Sequence, residues 1–168
     1  MAEVTLATDD QVNRAFVRLR IAMADADGAA RALGLPLEPL TSRAGDPTAL
    51  WIAPDQWLIT SSTVEADVLI ERIESALRAF VHNATDASDA LACFAVSGRD
   101  ARGLLAMASG VDFDNRTFPT GRCVRTRFAK AAVVIHAVDT NRFELIFDRS
   151  AAHYLERWLR RALTDAAA

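Results

Sequence analysis

The chain predicts an α+β fold built from duplicated ferredoxin-like halves, with antiparallel sheets covered by helices. Three observations point there. Strand-length apolar segments recur with helix-period segments between them. The order strand, helix, loop, hairpin, long helix occurs twice. Turn-forming residues also fall at matching places in the two copies. A single domain over 1–168 is expected, made of two pseudo-repeats of about 10–88 and 89–166.

In the first copy, Phe16–Ala22 alternates, with Val17, Leu19 and Ile21 on one side and Arg18 and Arg20 on the other. That period of two predicts a half-buried strand. "DADGAARAL" then predicts a short helix, with Gly34 as the stop that takes up a left-handed conformation. "LPLEPLTSRAGDP" carries the proline and glycine of a loop. "ALWIAPDQWLITSS" predicts a hairpin around Ala53-Pro54-Asp55-Gln56, because proline presets the second turn position. From about Val64 to Phe80, Leu69, Ile70, Ile73, Leu77 and Phe80 recur at helical spacing after the capping hydroxyls of Ser61-Ser62-Thr63.

The second copy repeats the scheme. "ALACFAV" predicts a strand and "GRDARGLLAMA" a helix, with Gly110 as its stop. A loop with Pro119 and Gly121 leads to the strands "CVRTRFA" and "AVVIHAV". "RFELIFD" pairs with the latter across Asp139-Thr140-Asn141, and a helix over about 151–163 closes the chain. Gly34 thus corresponds to Gly110, Trp57 to Phe143 and Leu77 to Leu163.

At 168 residues the chain is large enough for a core that needs no disulfide or metal staple. A net charge of −3 supplies no global field for phosphate, which argues against a nucleic-acid partner. Cys93 and Cys123 lie far apart without metal spacing, as expected of free thiols in a reduced cytoplasmic setting. "MAEVTLATDD" is acidic where a secretion signal would be basic, and no apolar run reaches the ~20 residues that span a bilayer. A soluble protein without membrane attachment is expected.

The strand-to-helix corner at Ser97-Gly98 resembles a phosphate loop in outline. Gly98 and Gly103 have the spacing, but Leu104 and Leu105 follow where Lys and Ser or Thr should stand, and Asp100 would repel phosphate. The corner is read as structural. His82, His136 and His153 sit in different elements with no carboxylate close in sequence, and His136 inside an apolar strand reads as a core or interface histidine. No serine sits in a Gly-x-Ser-x-Gly elbow, and no metal spacing occurs. Catalytic, cofactor-binding and metal-binding residues are therefore all expected to be none.

The candidates that remain are for partner binding: Trp51, Trp57, Arg125, Arg127 and Lys130. Trp51 and Trp57 flank the hairpin turn and are suited to core packing or, where exposed, to partner contact. Arg125 and Arg127 share a strand face and Lys130 follows at its end. Two guanidinium groups so placed suit a carboxylate ligand or an acidic partner surface, or else a solvated face with internal ion pairs.

The chain is similar to the gamma subunit family of heterotetrameric sarcosine oxidase. The residues carrying the likeness are Leu50-Trp51, Pro54-Asp55, Trp57, Ser97-Gly98, Asp112, Phe118-Pro119, Gly121, Thr126-Arg127, His136, Phe143 and Ser150. They run from about residue 16 to the terminal helix, and the sequence departs from the pattern at Ile52-Ala53, Gln56 and Arg99. The resemblance implies a fold like the folate-binding domain of the glycine-cleavage T-protein. It also implies a non-catalytic structural subunit in an oxidative demethylation of sarcosine, with alpha and beta subunits as partners. FAD, FMN, NAD and tetrahydrofolate are then expected on those partners and no cofactor on this chain. The acidic pair that T-protein folate chemistry uses is absent from the corresponding "AKAAVVIHAVD". A folate-binding protein of iron–sulfur repair is echoed only at Gly121-Arg122-Cys123-Val124, with Arg127-Phe128 replacing its Gln-Glu. Two alternatives stay open: a stand-alone folate-binding one-carbon transfer protein, and the equivalent subunit of a related N-methyl amino acid dehydrogenase.

Overall fold

The computed structural model describes residues 3–8 and 14–167. The expected start of the first repeat, at about residue 10, lies outside them. The chain begins with β1 (Thr5–Ala7), β2 (Ala15–Ile21), α1 (Ala26–Leu33), β3 (Ser42–Arg43), β4 (Thr48–Ala53), β5 (Gln56–Ser61) and α2 (Ala66–Ala76). It continues through β6 (His82–Asp86), β7 (Leu91–Ser97), α3 (Ala101–Ala106), β8 (Cys123–Phe128), β9 (Ala131–Asp139), β10 (Arg142–Asp148) and α4 (Ala152–Ala167). Two compact units result, one of Asn13–Asp89 and one of Met1–Val12 with Ala90–Ala168.

The Asn13–Asp89 unit is a five-stranded sheet in the order β3-β4-β5-β2-β6. The alternation read in β2 places Val17, Leu19 and Ile21 in a core with Ala29 and Ala30 of α1 and with Leu69, Ile73 and Leu77 around α2. α1 ends as expected at Gly34, whose φ of 62° is left-handed. Leu35 N–H then donates to the Ala30 carbonyl at 2.7 Å, which satisfies a helix-end acceptor. Across the β4–β5 hairpin Trp51 lies opposite Trp57, and the turn is Pro54-Asp55. Phe16, Leu50 and Leu58 are buried too, so this sheet is apolar on both faces.

The other unit has the order β1-β7-β10-β9-β8. Its connections match those of the first: β7 takes the place of β2, the β9–β10 hairpin that of β4–β5, and α4 that of α2. The edge place that β6 fills in one sheet is filled in the other by β1, the first strand of the chain. Phe94, Val96, Ile135, Phe143, Leu145, Leu155 and Leu159 form its core. Every residue from Leu91 to Val96 is buried, which explains why this strand reads as a continuous apolar run rather than an alternation.

Six elements depart from expectation. α2 ends at Ala76 and α3 at Ala106, short of Phe80 and Gly110. Gly110 has no left-handed φ, because α3 has already closed through Met107 and Ala108 N–H groups donating back to Leu104 and Leu105. The hydroxyls before α2 do not cap its first turn; Ser61 Oγ instead accepts from Thr63 and Val64 N–H. The short edge strands β1, β3 and β6 carry too few apolar residues to announce themselves. The final helix is preceded by a 3-10 turn at Arg149–Ala151, where Asp148 accepts from Ser150 N–H, and it runs on to Ala167.

Candidate functional site

β8 is the last strand of its sheet and pairs with β9 in an unbroken register from Cys123 opposite His136 to Phe128 opposite Ala131. The alternation of strand side chains turns Phe128 and Val124 to the core and leaves Arg125 and Arg127 exposed on the other face. Lys130, also exposed, sits in the two-residue turn with Ala129, whose φ is 51°. Arg127 Nη2 donates to the Lys130 carbonyl at 2.9 Å, and Ala129 N–H donates to the Ala108 carbonyl at 2.7 Å. Strand and turn are thereby held in place. Arg20, Arg99, Arg116, Arg160 and Arg161 each lie beside a carboxylate. Among the described residues, Arg125, Arg127 and Lys130 have none.

The tryptophans belong to the other unit and differ from each other. Trp57 is 2% exposed, and its Nε1–H donates to the Pro36 carbonyl at 2.9 Å. Its position on the helix-facing side of β5 makes it a core ring, the packing role expected of a tryptophan that is not exposed. Burying an indole of this size stabilises the unit by about 4 kcal/mol. Trp51 is half-buried at the margin of the same core. The structure therefore gathers Arg125, Arg127 and Lys130 on one strand and its turn, and both rings belong to the other unit.

Sequence reading missed a buried pair. β10 sets Glu144 directly opposite His136, with Oε2 3.6 Å from Nδ1. Both residues are buried, at 2% and 4% exposure, and Cys123 faces His136 from the β8 side. The separation is longer than a hydrogen bond, and the contact is an ion pair only when the imidazole carries its second proton. Burial withholds both groups from solvent, so the arrangement suits internal pairing better than acid–base work on a substrate. Seven residues separate the two in sequence, and only the register shift at Arg142/Phe143 brings them face to face.

The Ser97-Gly98 corner is structural, as read. A Cβ on Gly98 would lie 1.9 Å from the Glu3 carbonyl oxygen, and its φ is 130°. Glu3 N–H donates to Asp100 Oδ2 at 2.9 Å, so the chain before β1 occupies the ground over this corner. Next to it stands a second residue that the sequence did not single out. Arg102 donates through Nη1 to the Phe113 and Phe118 carbonyls, through Nε to the Thr140 carbonyl and through Nη2 to Asn115 Oδ1. Desolvation lowers its pKa, opposed by the charge of Asp114. Among the described residues no group of three or more His, Cys, Asp or Glu is placed to hold a metal ion. No described helix is long and apolar enough to cross a membrane.

Known structures share this architecture. A chain of the heterotetrameric sarcosine oxidase from Corynebacterium sp. U-96, in complex with pyrrole 2-carboxylate, superposes with a TM-score of 0.86 at 21% identity, over 98% of this chain and 86% of that one. The glycine cleavage system aminomethyltransferase T from Bartonella henselae gives 0.70 at 13% identity, over 94% of this chain and 45% of that one. The regulatory subunit of aspartate kinase from Thermus thermophilus, in its ligand-free form, gives 0.51 at 16%, over 96% and 99%. At these identities the likeness is one of fold, and it bears out the duplicated T-protein-like architecture. Comparison with curated proteins by sequence returns no match. The sequence pattern of one family covers residues 19–166, nearly the whole chain. The chain belongs to the sarcosine oxidase, gamma subunit family.

Proposed function

We propose that this chain is the non-catalytic structural gamma subunit of a heterotetrameric sarcosine oxidase. In this reading it packs on alpha and beta subunits that hold FAD, FMN, NAD and tetrahydrofolate and carry out the oxidative demethylation, in the cytoplasm. The observation that carries it is the family match over 19–166. Two features support the non-catalytic part. β9, the strand where T-protein chemistry would require an acidic pair, is filled by Val133, Val134, Ile135 and His136. Glu144, the carboxylate that faces that histidine, is buried with it. Co-expression with the alpha and beta subunits should give a complex that stays together through purification, and separation at micromolar concentration would contradict the reading.

A second reading is favoured by one observation, the exposed Arg125 and Arg127 without carboxylates beside them. Such a pair suits the glutamate carboxylates of a folate. A stand-alone one-carbon transfer protein would give heat on titration with tetrahydrofolate, whereas the subunit reading predicts none for the isolated chain. The equivalent subunit of a related N-methyl amino acid dehydrogenase would differ only in the amine its partners oxidise. Assaying the assembled complex with sarcosine and with other N-methyl amino acids separates these.

A further inference from the structure

We infer that the outer edge of β8 docks an acidic, extended segment of a partner subunit, which joins the sheet as an added strand; this rests on reading the chain as a subunit. The backbone sets the stage. Gly121 N–H donates to the Ala137 carbonyl and Ala137 N–H to the Arg122 carbonyl at the start of the ladder. Residues alternate inward and outward along an antiparallel pair. Given the unbroken register, Val124, Thr126 and Phe128 turn their N–H and C=O groups to β9, and Arg125 and Arg127 turn theirs away. Among the described residues no strand pairs with that side, since β8 ends its sheet. Neither Arg125 nor Arg127 has a backbone partner there among the described residues.

The side chains say what the added strand must carry. Arg125 and Arg127 stand two residues apart on one exposed face, so carboxylates at alternate positions of an incoming strand would meet them in register. Arginine suits this task because its planar fork takes a carboxylate through two parallel hydrogen bonds. Lys130 at the turn extends the cationic row by one place. A second copy of this chain is a poor occupant, since β8 paired with β8 would set arginine against arginine. Nucleic acid is disfavoured by the net charge of −3. The matching edge of the other unit shows the contrast: β3 is only two residues long, a length that blunts strand addition, whereas β8 has six.

The test is hydrogen exchange at single-amide resolution, on the isolated chain and on the complex co-purified with the alpha and beta subunits. The amides of Arg125 and Arg127 should slow by about tenfold or more on assembly. The variant R125E/R127E, checked for an unchanged thermal transition, should weaken assembly by about tenfold or more, while R125K/R127K should weaken it less. A complex that forms with both amides still exchanging fast overturns the inference and leaves the subunit reading standing. Failure of any complex to form removes that reading and this inference with it. Slowing in the isolated chain together with a doubled mass, or slowing brought about by an oligonucleotide but not by the subunits, also overturns it.

Discussion

The Arg102 guanidinium carbon lies 4.9 Å from the centroid of the Phe143 ring, so a cation from α3 rests on an aromatic of β10. The same side chain donates to carbonyls at Phe113, Phe118 and Thr140, tying the long connection between α3 and β8 to the sheet. Phe113 in turn stacks edge-on against both Phe118 and Phe143. One side chain thus anchors the loop that delivers β8.

Replacing Arg102 by alanine removes charge-assisted hydrogen bonds and the ring contact together. Urea denaturation should show a loss of about 2–4 kcal/mol. R102K should recover less than half, because an ammonium cannot reach carbonyls in several directions at once. A loss for R102A smaller than about 1 kcal/mol would remove the anchor role.

Gly98 and Gly103 make opposite predictions from the same substitution. G98A forces a side chain into the Glu3 carbonyl at a φ of 130°, and should cost more than about 2 kcal/mol. G103A meets nothing within 4 Å inside α3, and should stabilise by about 0.5–1 kcal/mol. Thermal unfolding of the two variants checks both signs.

For the buried pair, removing one partner leaves a carboxylate or an imidazole in the interior without the group that faces it. H136A and E144A should each cost about 3–5 kcal/mol, and an apolar double replacement such as H136L/E144L should cost far less than their sum. A double-mutant cycle in urea measures the coupling. Simple additivity would show that the two residues do not act as a pair.

Acid stability is set in part by aspartates with lowered pKa values. Asp112 is held down first by the Asp114 N–H and then by the Thr117 hydroxyl, and Asp114 first by the Arg116 N–H and then by its guanidinium. Asp55 is lowered by Arg20, and Asp46 by Ser61 and Ser62. A carboxylate whose folded pKa is depressed contributes stability above its unfolded value, near 3.8, and loses it as pH falls through the folded value. The urea midpoint should therefore be flat from about pH 7 to 5 and fall below about pH 4. D112N/D114N should show a shallower fall; a slope equal to the parent's would contradict the assignment.

Much of this architecture was legible because the long elements declare their period. β2 alternates, α4 keeps Leu155, Leu159 and Ala162 on one face, and the Pro54-Asp55 turn is marked by its proline. Edge strands were illegible for a physical reason: β6, "HNATD", is mostly exposed and gains its form from pairing with β2. The role of Trp57 stayed open between core and partner contact because an indole next to a turn reads the same whether it faces the helices or the solvent. Arg125 and Arg127 could be placed on one face by parity alone. The His136–Glu144 pair and the four bonds of Arg102 depend on register and loop path, which no spacing in the sequence encodes.

The proposed hold of other subunits on this chain is tested most directly by native mass spectrometry of the chain co-expressed with the alpha and beta subunits. A single assembly containing the 18.3 kDa chain alongside its partners is the predicted result. The chain flying alone while the remaining subunits form a complete, active oxidase would contradict it.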